Sequence, residues 1–89
     1  MVTKTITIIN KLGLHARAAA KLVTTINSFS SMTTIQFNDK KVDGKSIMAV
    51  MMLAAAKGSA LEFSIDGTDE QDAMEAIEAL INRYFDEGE

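Results

Sequence analysis

The 89-residue sequence contains no cysteine, no proline and no tryptophan, and it has one histidine and one tyrosine. Without cysteine there is no disulfide framework and no thiolate metal site. One histidine without an HExxH pattern assembles no metal centre, and no serine stands in a nucleophile-elbow context. No apolar run is long enough to cross a bilayer, and the first ten residues alternate Thr with Val and Ile instead of forming a signal peptide. A cytoplasmic protein that stays off the membrane is expected. The scarcity of aromatic residues and a net charge of −3 argue against nucleic-acid binding.

A hydrophobic share of 47% supports one folded domain spanning residues 1–89. The charge is divided along the chain. Up to Lys57 there are eight basic residues and two acids (Asp39 and Asp43), whereas from Gly58 onward there are ten acids and only Arg83. Such a division either steers the basic half toward an acidic partner or simply solvates two ends of the fold.

Hydrophobic periodicity orders the elements. Residues 2–9 alternate as a strand, and Asn10–Gly13 forms a break. Ala19, Leu22, Val23 and Ile26 make one face of a helix over Ala16–Asn27. Strands follow at Met32–Phe37 and Lys40–Val42, joined by a turn at Asn38-Asp39. A second helix is expected after Ser46, carrying Ile47, Val50, Met51 and Ala54 and stopping between Lys57 and Gly58. Leu61–Asp66 alternates as a strand. The last helix is expected to start with a Thr68/Gln71 capping box and to bury Ala73, Ile77, Leu80, Ile81 and Tyr84. The order β-α-β-β-α-β-α, with one apolar face per strand, predicts an α+β fold. Its form is an open-faced two-layer sandwich, a four-stranded antiparallel sheet covered on one face by three helices.

His15 carries the chemistry. It lies between Gly13 and the first helix, with Arg17 two residues on. A helix start offers the free backbone N–H groups of Ala16, Arg17 and Ala18 and a partial positive charge. An anion attached to the imidazole would meet those donors and the Arg17 guanidinium, and the same field favours a neutral, nucleophilic ring. On spacing alone, a capping or packed histidine with a merely solvated Arg17 is the commoner arrangement.

The segment Asn10-Lys11-Leu12-Gly13-Leu14-His15-Ala16-Arg17-Ala18-Ala19-Ala20-Lys21 resembles the active-site segment of HPr, the histidine-containing phosphocarriers of the bacterial phosphoenolpyruvate-dependent phosphotransferase system. Gly44-Lys45-Ser46-Ile47-Met48 resembles that family's second signature, and the likeness extends over essentially the whole chain. It implies a phosphoryl carrier rather than an enzyme. His15 would take a phosphoryl group from enzyme I on the ring nitrogen facing the helix, Nδ1, and pass it to IIA domains of sugar transport or regulation. Arg17 would steady the charge, and no cofactor or metal is implied. In several members the serine matching Ser46 is phosphorylated by HPr kinase/phosphorylase, which marks Ser46 as a regulatory position; a phosphate adds about −1.5 to −2 charge. The resemblance places partners on Ala20, Lys21, Lys45, Ile47, Met48 and Met51, with Met52 left to the core and a monomeric carrier. One departure stands out. The family usually has proline after Arg17, and this chain has Ala18, which loosens the first turn and is expected to tune phosphohistidine stability. Two readings stay beside this one: a nitrogen-related paralogue in a regulatory phosphorelay, and a non-catalytic regulator-binding partner acting through Ser46. The fold alone also allows a small-ligand or metal-binding sandwich, whose glycine-rich loop or paired cysteines are missing.

Overall fold

Alternating Thr with Val and Ile favours an extended chain with one face to bury, and β1 runs over Val2–Thr7. The computed structural model describes residues 1–87. Helix α1 spans Ala16–Asn27, β2 Met32–Phe37, β3 Lys40–Asp43, α2 Ile47–Met51, β4 Ala60–Asp66 and α3 Glu70–Asn82. A short turn at Tyr84–Asp86 follows. The four strands form one antiparallel sheet in the order β1-β4-β2-β3.

Register explains the layering. Ile6 pairs with Leu61 across β1 and β4, and Ile35 pairs with Phe63 across β2 and β4. Because side chains alternate faces, these residues fall on the same inner side. There they meet Ala19, Leu22 and Ile26 of α1 and Ala73, Ile77, Leu80 and Ile81 of α3, all buried. The opposite face carries Thr3, Thr5, Gln36 and Glu62 to solvent. Among the described residues, no helix is long and apolar enough to cross a membrane.

Three expectations need correction. First, α2 stops at Met51 and does not continue to Lys57. Ala54 has a φ of 52°, which breaks the helix, and Leu53 and Ala55 turn inward while Ala54 stays exposed. The bend therefore lets a short segment bury alternate residues that one continuous helix would point outward. Second, Asp69, not Thr68, is the residue before α3, and no side chain caps that helix among the described residues. The Asp69 carboxylate is used elsewhere: its oxygens accept from Ser30 N–H at 2.8 Å, Ser30 Oγ at 3.2 Å, Ser31 N–H at 2.9 Å and Ser31 Oγ. These bonds tie the α1–β2 loop to the start of α3 and hold the Asp69 carboxyl down at about 2, with the Ser31 hydroxyl as the largest cause.

Third, Tyr84 is exposed and Phe85 is the buried aromatic at the end of the chain. Tyr84, Phe85 and Asp86 have φ of 59°, 53° and 63°, so the terminal turn winds left-handed. That conformation costs roughly 1–2 kcal/mol per non-glycine residue. Complete burial of the Phe85 ring, worth about 2–3 kcal/mol, offsets part of it. Lys21 Nζ adds a hydrogen bond of 2.9 Å to the Phe85 carbonyl.

Candidate functional site

The segment before α1 is fixed by its backbone. Gly13 N–H donates to the Asn10 carbonyl at 3.1 Å, and Leu14 N–H donates to the Ala55 carbonyl at 2.8 Å. Gly13 has a φ of +67°, and a Cβ there would lie 2.7 Å from the Ala55 oxygen and 2.8 Å from Ala56 Cα. Glycine is needed on both counts, for its left-handed backbone and for the close approach of two main chains. Leu14 is buried beside this contact. His15 therefore leaves a rigid loop at a defined place.

His15 is the N-cap of α1, with extended backbone (φ −72°, ψ 178°). Its carbonyl accepts the Ala19 N–H at 2.8 Å, opening the helical ladder, and Nδ1 accepts the Arg17 N–H at 3.3 Å. The nitrogen lone pair thus points at the positive end of the helix. Nε2 meets the carboxylate of Glu87. An acceptor role at Nδ1 and a carboxylate at Nε2 together assign the ring proton to Nε2 and leave Nδ1 unprotonated. The ring is 28% exposed, open enough for another molecule to reach it.

Glu87 is the residue that sequence reasoning missed. It lies 72 positions from His15 and within a predominantly acidic terminal stretch, where nothing in the spacing marks it. Its second oxygen accepts from Asn10 Nδ2 at 3.1 Å, and the same amide donates to the Gly13 carbonyl at 2.7 Å. The ring consequently stands between a helix start and a carboxylate, not under the helix field alone.

Arg17 is exposed, and its guanidinium enters no ion pair among the described residues. It lines a cavity of about 330 Å³ together with Lys11, Leu12, Lys21, Asp86 and Glu87. Asp86 is drawn to Arg83 at 3.0 Å and to Lys21 at 3.9 Å, and its carboxyl is held below the usual range chiefly by the Arg83 hydrogen bond. Among the cations around His15, Arg17 and Lys11 remain free of ion pairs among the described residues. Ala16 and Arg17 lie at the surface, whereas Ala18 is fully buried.

The other residues singled out from the sequence lie close to this site or along α2. Ser46 is the N-cap of α2, its Oγ accepting the Ala49 N–H at 3.3 Å. Lys45 is half-buried and its ammonium donates to the Phe29 carbonyl at 3.1 Å, so it anchors a loop and is not free at a rim. Ala20 and Lys21 are half-buried on α1. Ile47, Met48 and Met51 are exposed, as expected of the apolar patch, although Ile47 and Met51 share the helical spacing of buried Val50; Met52 joins them at 70% exposure instead of entering the core. The five-residue helix buries only Val50.

A histidine at the N-cap of this helix, above an open-faced sheet, has well-defined relatives. The family model described as the PTS HPr component phosphorylation site matches residues 2–83. The chain belongs to the HPr family. It is 55% identical over 89 residues to the phosphocarrier protein HPr of Neisseria meningitidis serogroup A, covering all of both chains. Identity is 56% over 90 residues to the corresponding protein of Pseudomonas putida, again over the full length of each. The crystal structure of HPr-C-His from Thermoanaerobacter tengcongensis superimposes with a TM-score of 0.94, at 44% identity and with 98% of each chain covered. In this HPr-family chain the fold is that of its solved relatives, and the protein is a phosphocarrier of the bacterial phosphotransferase system.

Proposed function

We propose that His15 is the phosphorylated residue and that Nδ1 is the atom that carries the phosphoryl group. The donor is phosphorylated enzyme I, itself charged from phosphoenolpyruvate, and the acceptors are IIA domains of sugar transport or regulation. One observation carries this reading: the unprotonated Nδ1 lies at the start of α1 on a partly open ring, beside a cavity that holds Lys11, Arg17 and Lys21.

The chemistry follows from that placement. An in-line attack by Nδ1 needs a lone pair free of a proton and charge compensation for the phosphoryl oxygens. The Arg17 N–H and the adjacent helix-start amides supply fixed dipoles, and the Arg17 guanidinium, free of an ion pair among the described residues, can swing toward the transferred group. Partial exposure allows both loading and unloading. The exposed strip of Ile47, Met48, Met51 and Met52 supplies an apolar contact for partners, and methionine adapts to more than one of them. Ser46 is a regulatory position within this strip, where a phosphate would place negative charge between the protein and an acidic partner. The carrier works in the cytoplasm, without a bound metal or cofactor.

Incubation with phosphoenolpyruvate, magnesium and enzyme I, followed by intact-mass measurement, tests the reading. It predicts one added phosphoryl group, labile in acid and lost in His15→Ala. A charged His15→Ala protein, or an uncharged wild type, would refute it.

A further inference from the structure

In the reading above Glu87 serves only to mark the tautomer of His15, yet its carboxylate also holds the reacting ring. One oxygen meets His15 Nε2, and the other accepts from Asn10 Nδ2 at 3.1 Å. The Asn10 amide cannot be reversed without setting its oxygen against the Gly13 carbonyl and the Glu87 carboxylate. Its own Oδ1 is buried without a partner among the described residues, so this orientation is kept at the cost of an unmade hydrogen bond. Glu87 is only 13% exposed although it stands near the end of the chain. The left-handed turn before it, pinned by the buried Phe85 ring and by Lys21, delivers it there.

We infer that Glu87, set in place by Asn10, is a positioning residue for phosphoryl transfer: it keeps the ring proton on Nε2 before attack and balances the positive charge of the ring afterwards. This inference rests on the phosphocarrier reading. In the step, the Nδ1 lone pair forms the new N–P bond. The bond from phosphorus to the donor breaks, and its electron pair stays on the donor atom that leaves. Nε2 keeps its proton, so the phosphorylated His15 ring is a cation with Glu87 as the anion against it. A cationic ring leaves phosphorus more easily than a neutral one, so the carboxylate keeps the group transferable. Loss of the Nε2 proton to water gives a neutral ring and a more inert P–N bond.

The neighbouring charges leave this role to Glu87. Lys11 of the preceding loop and Arg17 and Lys21 of α1 are cations that oppose a charge on the ring. Asp86, the other acid lining the cavity, is engaged by Arg83 and Lys21, and α2 carries no charged residue. Glu87 is the acid in contact with the imidazole among the described residues.

The test compares wild type, Glu87→Ala and Glu87→Gln after charging by phosphoenolpyruvate, magnesium and enzyme I. Phosphohistidine hydrolysis is followed between about pH 5 and pH 9, bracketing the imidazole range. Both variants should still be charged on His15. Removing the carboxylate takes away the anion that balances the ring charge, so the fall in lability should move to lower pH and hydrolysis should slow severalfold on the alkaline side of neutrality. Glu87→Gln, which retains an acceptor oxygen but no charge, should show the same displacement. The turnover of phosphoryl acceptance should fall severalfold in Glu87→Ala, with KM for enzyme I unchanged. Hydrolysis profiles of both variants that superimpose on wild type would overturn the inference while leaving the carrier reading intact. A wild-type protein that takes no phosphoryl group on His15 would instead overturn the carrier reading, and this inference with it.

Discussion

Replacing Gly13 by alanine isolates the contact that positions His15. Gly13 is in the left-handed region at φ +67°, where a Cβ costs roughly 1–2 kcal/mol. The added methyl would also stand 2.7 Å from the Ala55 oxygen and 2.8 Å from Ala56 Cα. Both are main-chain atoms, which cannot turn aside as a side chain can. Relief requires the two loops to separate, and that stretches the Leu14 N–H to Ala55 carbonyl bond of 2.8 Å, worth about 1 kcal/mol net. Together these give a loss of about 2–3 kcal/mol. For a domain of this size that corresponds to a Tm lower by about 8–24 °C. Gly58→Ala is the matched control: its φ is +93°, but no atom lies within 4 Å of the place its methyl would take, so only the conformational cost of about 1–2 kcal/mol applies. Thermal unfolding followed by far-UV circular dichroism reads both. The phosphoryl acceptance rate of folded Gly13→Ala should also fall, because the loop that moves is the one ending in His15. A Gly13→Ala Tm no lower than that of Gly58→Ala would refute the argument, since the main-chain clash would then contribute nothing.

Asp69→Asn should reshape acid stability. The Asp69 carboxyl sits at about 2 in the folded protein against an ordinary 3.8, so its contribution is present above about pH 4 and is lost as pH falls toward 2. Urea midpoints of wild type and variant should therefore converge over that interval, and a constant gap from pH 6 to about pH 2 would contradict the linkage. Phe85→Ala should cost about 3 kcal/mol and release the terminal turn, read as a lowered urea midpoint together with a changed His15 ring signal in NMR. A midpoint shift equivalent to less than about 1 kcal/mol would show that the turn is not anchored by that ring. Ala18→Pro should leave the fold intact, because the first intrahelical bond of α1 is made by Ala19 N–H and no bond is lost one residue earlier. It should alter the phosphohistidine hydrolysis half-life, and an unchanged half-life would remove Ala18 as a tuning residue.

The fold was legible where burial repeats with a fixed period. Ile6, Ile35, Leu61, Phe63 and Ile65 alternate, and Leu22, Val23 and Ile26 follow a helical stripe, so one face of each element announces itself. Legibility failed where a single residue has a second use. Thr68-Asp69-Glu70-Gln71 reads as a capping box, but the Asp69 carboxylate is taken by the Ser30 and Ser31 groups across the fold, a partner 38 or 39 positions away that local spacing does not contain. The run from Ile47 to Lys57 reads as one helix, yet the bend at Ala54 turns Leu53 and Ala55 inward and presents the Ala55 carbonyl to the Leu14 N–H of a distant loop. Likewise Tyr84 continues the helical stripe of α3, whereas the left-handed turn substitutes Phe85 for it.

The candidate site repeats that division. His15, Arg17 and the start of α1 are contiguous, so sequence suffices to assemble them. Asn10, the Ala55 carbonyl and Glu87 come from three separated segments and meet only in the folded chain. Their arrangement carries local costs: a left-handed turn of three non-glycine residues, a glycine pressed against main chain, and an amide oxygen left without a partner among the described residues. The turn also buries Phe85, and the glycine contact accompanies the burial of Leu14 and Ala55. All three converge on the loop and carboxylate that orient one imidazole, and a core with Phe63, Phe85, Leu22 and Ile77 fully buried can sustain them. The distribution of strain therefore points to the same ring as the motif does, from an independent direction.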